Sequence, residues 1–267
     1  MKNILFSKPM ISLSFDDGRE DFYRNVYPIL KKYKLNVTLF VISGYVDGSW
    51  KQMLSGSQGA CTIPQLKEMR DSGLVEIALH GDKHTTEQDD FKICYQKLKK
   101  WDLLDNEFGF SVPHSAKKET YLKDFYEKVC CDGCIYIRGG RSYKCNSIFA
   151  KATFLAYLLT KSSWFYRMFN DYNVIEDRLQ PFNIPSIVIH NNDSPLIIQQ
   201  FLENLDKNVW INFMFHSIVN DKENQSKSKW CWDINKFEFL CKYLTQQSKY
   251  QVLPIIRAIK WKKGEIG

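Results

Sequence analysis

Two adjacent carboxylates, Asp16 and Asp17, end the apolar run Ile11-Ser-Leu-Ser-Phe15, and Gly18 follows them. Ionised carboxylates beside an apolar stretch need a partner or a cation. The pair therefore reads as the mouth of a site, although an acidic turn at a strand end would carry the same text. The chain has five histidines. His80, His84, His114 and His216 all follow stretches that read as strands, and so does His190. One aspartate with two histidines, leaving coordination positions open, is the donor set of mononuclear zinc hydrolases and of non-haem iron centres. His80 and His84 are four residues apart and share a face if the loop between them turns helically. Asp17 would be the third ligand. Zinc suits this set, with cobalt, nickel, iron and manganese as the alternatives. Each histidine alone could as well be a surface or core side chain. The argument for a centre is that the whole set falls at strand ends.

Those residues need a scaffold that gathers strand ends. Asn36–Ile42, Leu74–Leu79, Gly109–Pro113, Ile135–Ile137 and Val209–Phe215 read as strands, and Phe182–His190 contains another. Glu20–Tyr33 has helical spacing, with Pro28 predicting a kink or a late start. Thr62 is a candidate cap with Pro64 in the first turn and Gln65 three residues on. Phe91–Glu107, Thr120–Cys130, Ser194–Leu205 and Phe237–Leu244 read as helices, 50–61 as a loop, and Gln251–Ile256 as a last strand or helix. Strands alternating with helices along one unbroken chain predict a single α/β domain over 1–267, built as a barrel whose strand ends converge on one face.

The bulk composition is permissive. With 267 residues and 44% hydrophobic content the chain can bury a large core. Its net charge of +7 is compatible with an anionic polymer or membrane surface. It has no long Lys/Arg run and no nucleic-acid module, so nucleic acid is not expected as a partner. Eight cysteines do not make a disulfide framework in a chain this long. Cys130, Cys131 and Cys134 are the one cluster and lack a matching pair, so free thiols are expected. The start shows no signal peptide, and no stretch is long and apolar enough for a membrane span. A cytoplasmic location, in contact with a membrane surface if anywhere, is the expectation.

Ser14-Phe-Asp-Asp-Gly18, His80-x-x-x-His84 and Phe215-His216 resemble the signature motifs of the polysaccharide deacetylase (NodB-homology) family of metal-dependent carbohydrate esterases. Val37–Val41, Gln65–Met69 with Val75-Glu-Ile77, Asn183–Ile187 and Trp210–His216 are similar to its intervening segments. The resemblance implies a distorted (β/α) barrel of about seven strands and removal of acetyl groups from an amino sugar in a cell-surface glycan or its precursor. It implies Asp16 as base, Asp17, His80 and His84 as ligands of one divalent metal, and His216 as acid. At Pro113-His114 it implies an oxyanion contact from the His114 N–H. General acid–base chemistry is consistent with these roles, since a carboxylate can take a proton from water and an imidazole can return one to an amine.

The chain departs from the family in four places. Gly81 stands where serine or threonine is usual, a change that should alter loop bracing more than metal binding. Phe110-Ser-Val-Pro113-His114-Ser115 lacks the family's arginine, and Arg138 is the candidate replacement. Asp193 and Trp232 are the nearest counterparts of its Asp/Trp motif. An insertion at about 148–172 is crowded with aromatic and basic residues. It reads as a face for a membrane or lipid-linked glycan, as a lid packed on the barrel, or as a dimer contact. The functional alternatives are a hydrolase of another C–N amide bond and a glycan-binding barrel without turnover.

Overall fold

A computed structural model describes residues 8–51, 54, 59–114, 117–175, 180–220, 228–246 and 248–265. The expectations for the first seven residues and for part of the 50–61 loop lie outside the described residues. Eight parallel strands form a nearly closed, distorted barrel: β1 Met10–Phe15, β2 Val37–Val41, β3 Val75–Leu79, β4 Phe108–Ser111, β5 Cys134–Gly140, β6 Ile184–Pro185, β7 Ile187–Val188 and β8 Trp210–Phe215. Their order is β6-β5-β4-β3-β2-β1-β8-β7. The seam falls inside a single extended segment. β6 pairs with β5 and β7 with β8, and only Ser186 separates them. The Ser186 N–H donates to Gly140 O at 2.7 Å, and its hydroxyl accepts from Asn212 Nδ2 at 2.8 Å. The single strand expected within 182–190 is thus bent, so that each half serves one edge. Three short strands complete the set: β9 Ser217–Val219 pairs with β10 Cys231–Asp233, and β11 Gln251–Val252 adds to β1.

The helices, in chain order, are α1 Tyr27–Tyr33, α2 Ser43–Val46, α3 Ile63–Asp71, α4 Gln88–Lys100, α5 Glu119–Val129, α6 Ile148–Thr160, α7 Ser163–Asn170, α8 Pro195–Glu203, α9 Ile234–Gln246 and α10 Ile255–Lys263. Pro28 has the effect expected of a residue without an N–H: a π-helical turn over Phe22–Val26 precedes α1, and Pro28 sits in its first turn. The cap of α3 is a capping box formed by Thr62 and Gln65. Two boundaries differ from the sequence expectation. α4 stops at Lys100 rather than running to 107, because Asp102 takes φ +56 and the Leu103 N–H turns back to Leu98 O at 3.0 Å. That left-handed cap usually carries glycine, so the sequence did not announce it. β5 runs three residues past Ile137, through two glycines that discourage a strand reading. Gly140 is needed there because it takes φ +74, a left-handed conformation that other residues rarely adopt.

Period-2 alternation then sorts the side chains. Ile11, Leu13 and Phe15 of β1 join the large cluster under the outer helices. Met10, Phe40, Ala78, Tyr136 and Trp210 join a second cluster with Ile255, Ala258 and Ile259 of α10. That second cluster fills the barrel, with α10 closing its amino-terminal mouth. On β1 the same inward parity leads from Met10 through Ser12 and Ser14 to Asp16, on β3 from Glu76 through Ala78 to His80, and on β5 from Tyr136 to Arg138.

Glu76 has a separate job at that closed mouth. Its carboxylate accepts from Thr38 Oγ1 (2.6 Å), Tyr136 OH (2.7 Å) and the Ile256 N–H (3.1 Å), while the Ile255 N–H donates to Thr38 Oγ1 (2.9 Å). The first turn of α10 is capped from inside the barrel. Burial pushes the Glu76 carboxyl up to about 7 against the pull of these donors. A raised folded-state pKa means that its stabilising contribution is complete below the ordinary value near 4.5 and is lost as pH rises through 7. Glu76→Gln keeps the shape and cannot ionise. Its stability relative to wild type should therefore rise between pH 4.5 and 7, by on the order of 1–3 kcal/mol. Urea titrations at both pH values check this, and a pH-independent difference would contradict it.

Candidate active site

The carboxyl ends of β1, β3, β5 and β8 meet around a cavity of about 250 Å³ that Asp16, Asp17, His80, His84, Arg138 and His216 all line. A larger groove of about 890 Å³, beside Lys117, Tyr172 and Pro185, contains none of these groups. In a continuing strand, Asp16 and Asp17 would point to opposite faces. They share the cavity because β1 ends there. The Asp16 N–H still donates to Phe215 O at 3.0 Å, but Asp17 takes φ +80. Aspartate tolerates this left-handed conformation better than most residues. Gly18 at φ +71 completes the reversal, where a Cβ would press Val41 at 3.3 Å.

Each carboxylate has its own arginine. Arg19 holds Asp17 Oδ2 through Nε at 2.8 Å and Nη2 at 2.6 Å, and its Nη1 donates to Ser217 Oγ at 2.9 Å. The other Asp17 oxygen lies 3.6 Å from His80 Nε2. Burial alone would push the Asp17 carboxyl up. Arg19, with His216, His80 and His84, outweighs it and holds Asp17 well below the usual carboxylate range. Arg138 reaches Asp16 from β5, its Nη2 donating to both carboxylate oxygens, 2.6 Å to Oδ2, and to Ser111 Oγ. Its guanidinium lies 4.9 Å above the Phe40 ring. Arg138, the candidate read from the sequence, is thus buried on β5 against Asp16.

Ser111 links the two halves of the site. Besides meeting Arg138, its carbonyl accepts from His80 Nδ1 at 2.9 Å. A carbonyl can only accept, so the His80 proton sits on Nδ1 and Nε2 is left bare toward the carboxylates. Burial lowers His80 to about 4 and His84 to about 3, so both imidazoles are neutral at pH 7 and have lone pairs to donate. One ligand atom from each of Asp17, His80 and His84 falls within 4.8 Å of the others, and no other such group of three occurs among the described residues. These donors fit a divalent cation in number, type and tautomer. Metal identity is not fixed by this geometry.

The loop between His80 and His84 does not turn helically, so the two do not share a helical face. Residues 81–85 form a loop around the Asp90 carboxylate, which accepts the N–H groups of Asp82 (3.1 Å), Lys83 (2.7 Å) and Thr85 (3.1 Å). His84 takes φ +56 in that loop. Gly81 is at φ +84, and a Cβ there would collide with Asp90 Oδ2. The glycine that departs from the family pattern is therefore the residue that admits the brace.

His216 follows β8 and forms the opposite wall. Its ring packs on Trp230 at 4.6 Å, and its buried Nδ1 has no hydrogen-bond partner. Burial lowers it to about 4 despite the nearby Asp17 and Asp16. Trp230 also packs on His190 at 5.4 Å. Behind that wall the Asp193 carboxylate accepts from Tyr157 OH (2.7 Å) and the His190 N–H (2.8 Å), and Trp232 Nε1 donates to Asp193 O (3.0 Å). His114 is exposed at the rim, at φ +54, with its ring 4.8 Å from that of His84. Pro113 is buried next to it and does not line the cavity. Cys130 and Cys134 are free thiols. Sequence reasoning missed Arg19, Asp90 and Trp230. Only Arg19, a base two residues after Asp17, carried a local signal.

Residues 5–120 match the family model for polysaccharide deacetylase. A stretch of 124 residues is 37% identical to poly-beta-1,6-N-acetyl-D-glucosamine N-deacetylase of Staphylococcus aureus strain MRSA252. The stretch 5–120 of the chain is similar to the polysaccharide deacetylase family. The identically named protein of strain MSSA476 is 40% identical over 124 residues. Each match takes in 46% of this chain and 38% of the relative, so the chain spans well under half the length of the curated relatives it matches. The fold extends further than the sequence match. The Xyl-CE4 domain of a multidomain xylanase from the hindgut metagenome of Trinervitermes trinervoides superposes with a TM-score of 0.53. That superposition covers 96% of this chain and 91% of that one at 15% identity. The family match thus takes in β1 to β4 with Asp16, Asp17, His80 and His84, while Arg138 and His216 lie beyond it.

Proposed function

We propose that this chain is a metal-dependent hydrolase that removes acetyl groups from an amino sugar in a polysaccharide, with a β-1,6-linked N-acetylglucosamine polymer as the first substrate to try. The observation that carries the reading is that Asp16, the Asp17/His80/His84 donor set and His216 line one small cavity, with Asp16 Oδ2 3.6 Å from His80 Nε2. The naming of the staphylococcal relatives supports the choice of substrate.

A divalent cation held by Asp17, His80 and His84 would polarise the acetamide carbonyl and acidify a water beside it. The side chains supply the rest. Asp16 accepts the proton of the attacking water, and Arg138 fixes both of its oxygens so that it cannot turn away. Arg19 occupies one oxygen of Asp17, which leaves a single oxygen for the ion. His216 faces the departing nitrogen and gives it the proton without which an amine leaves very slowly. The imidazole is neutral in the resting site; negative charge developing on the reacting oxygen raises its pKa, so the proton that Asp16 drew from the water can pass to it and on to the nitrogen. Val112, Met214 and Trp230 line the remaining wall, and they suit an acetyl methyl better than water.

The test is acetate release from defined β-1,6- and β-1,4-linked N-acetylglucosamine oligomers, using protein stripped of metal and then reloaded with zinc, cobalt or nickel. Metal-dependent release with a preference for the β-1,6 linkage is expected. No release from any N-acetylated oligomer with any metal would leave only a binding barrel. His216→Ala should lower the rate by about 10²–10⁴ without lowering the metal content, and unchanged turnover in that variant would remove His216 from the mechanism.

A further inference from the structure

Nine large apolar residues are exposed among the described residues, and six of them lie in α6 and α7: Ile148, Phe149, Leu155, Leu158, Leu159 and Trp164. Exposure reaches 88% at Ile148, 77% at Leu159 and 60% at Trp164. The inner face of α6 is Ala150, Thr153 and Tyr157, all buried. The opposite face reads Ile148, Ala152, Leu155, Leu159, at spacings of four, three and four. That is one continuous stripe along the helix. A helix apolar on both faces has a second partner to find, since the barrel uses only one.

The charges around the stripe say what that partner is. From 142 to 170 the sequence has Lys144, Lys151, Lys161 and Arg167 and not one Asp or Glu. All four bases are exposed. A two-fold contact with a second copy would set these bases against their own mates. An anionic lipid surface would take the apolar stripe and the bases together. At 13 residues α6 is roughly 20 Å long, too short for a hydrocarbon core of about 30 Å. No helix among the described residues is long and apolar enough to cross a membrane. Trp164, with an apolar body and one N–H, is the side chain type that settles at a lipid–water boundary.

We propose that the α6–α7 face docks on an anionic phospholipid bilayer, with the stripe in the interface and the flanking bases on headgroup phosphates. Tyr157, on the inner face, ties α6 to Asp193 at 2.7 Å. The docked face is therefore fixed to the wall behind Trp230 and His216. This inference does not depend on the reaction proposed above, and its readout is binding.

The experiment is flotation of the full chain with vesicles of phosphatidylcholine alone or with about one third phosphatidylglycerol. Wild type is expected to float with the anionic vesicles and not with the neutral ones, and to be released by high salt. Its Trp164 emission should shift to the blue, judged against Trp164→Phe. Leu155→Ser/Leu159→Ser removes apolar contact, and Lys151→Glu/Lys161→Glu reverses charge. Each should weaken the partition coefficient by about tenfold or more while leaving the melting temperature close to wild type, because these side chains are exposed. Equal binding to both vesicle types would overturn the proposal. So would a concentration-dependent dimer, without flotation, that the leucine variant dissolves.

Discussion

Asp16→Asn is expected to lower the rate of acetate release by about 10²–10⁴ with little change in bound metal or in KM. The split follows from how the two neighbouring carboxylates are held. Asp17 has one oxygen on Arg19 and the other toward His80 Nε2, so it belongs to the donor set. Asp16 has both oxygens on Arg138 and borders that set without joining it. Asparagine keeps the size and an acceptor oxygen but cannot take a proton from water. Asp17→Asn should behave differently and lose metal first, with activity partly restored by excess zinc. Elemental analysis and single-turnover rates on the two variants separate these outcomes. If Asp16→Asn turns over at the wild-type rate, or loses its metal as Asp17→Asn does, the division of labour is wrong.

How far this site was legible differs from residue to residue. The strand β1, the pair at its end and the histidines after β3 and β8 were readable because an apolar run that stops at ionisable groups leaves few physical options. The order and parity of the strands followed, and with them the inward face that carries Asp16, His80 and Arg138. Arg138 was visible only as a candidate, since the two glycines after it hid three residues of β5. The seam at Ser186 was not visible at all. No local residue type marks a strand that changes edges, and only closure of the barrel demands it. The route by which His84 reaches His80 was misread for a related reason. Four-residue spacing suggests a helical turn, whereas the loop takes its shape from Asp90 in α4, a carboxylate that any sequence reading would leave on the surface. Trp230 gave no signal because a tryptophan after a polar stretch is unremarkable until His190 and His216 are known to flank it.

Arg138→Met should be the most damaging single change to stability, at about 3–5 kcal/mol. Asp16 is 4% exposed, and the guanidinium is what compensates its charge. Methionine fills much of the space beside Phe40 and Met214 but leaves a buried carboxylate unpaired. Removing one partner of such a pair costs far more than removing both. Arg138→Met/Asp16→Asn should therefore be more stable than Arg138→Met alone, with a coupling of about 1–3 kcal/mol in a double-mutant cycle. It should remain inactive, because it still lacks the base. Arg138→Lys tests the geometry separately from the charge. An ammonium keeps the ion pair but lacks the second nitrogen that Arg138 sets against Met214 Sδ and the flat face it lays over Phe40. It should recover more stability than activity. Urea unfolding and acetate release, measured on wild type, the three variants of the cycle and Arg138→Lys, decide the matter. Additive stabilities in the cycle, or full activity in Arg138→Lys, would mean that Arg138 only fills the barrel. Coupled stabilities with a poorly active lysine variant would show that β5, beyond the residues that match the family model, supplies the support that Asp16 needs.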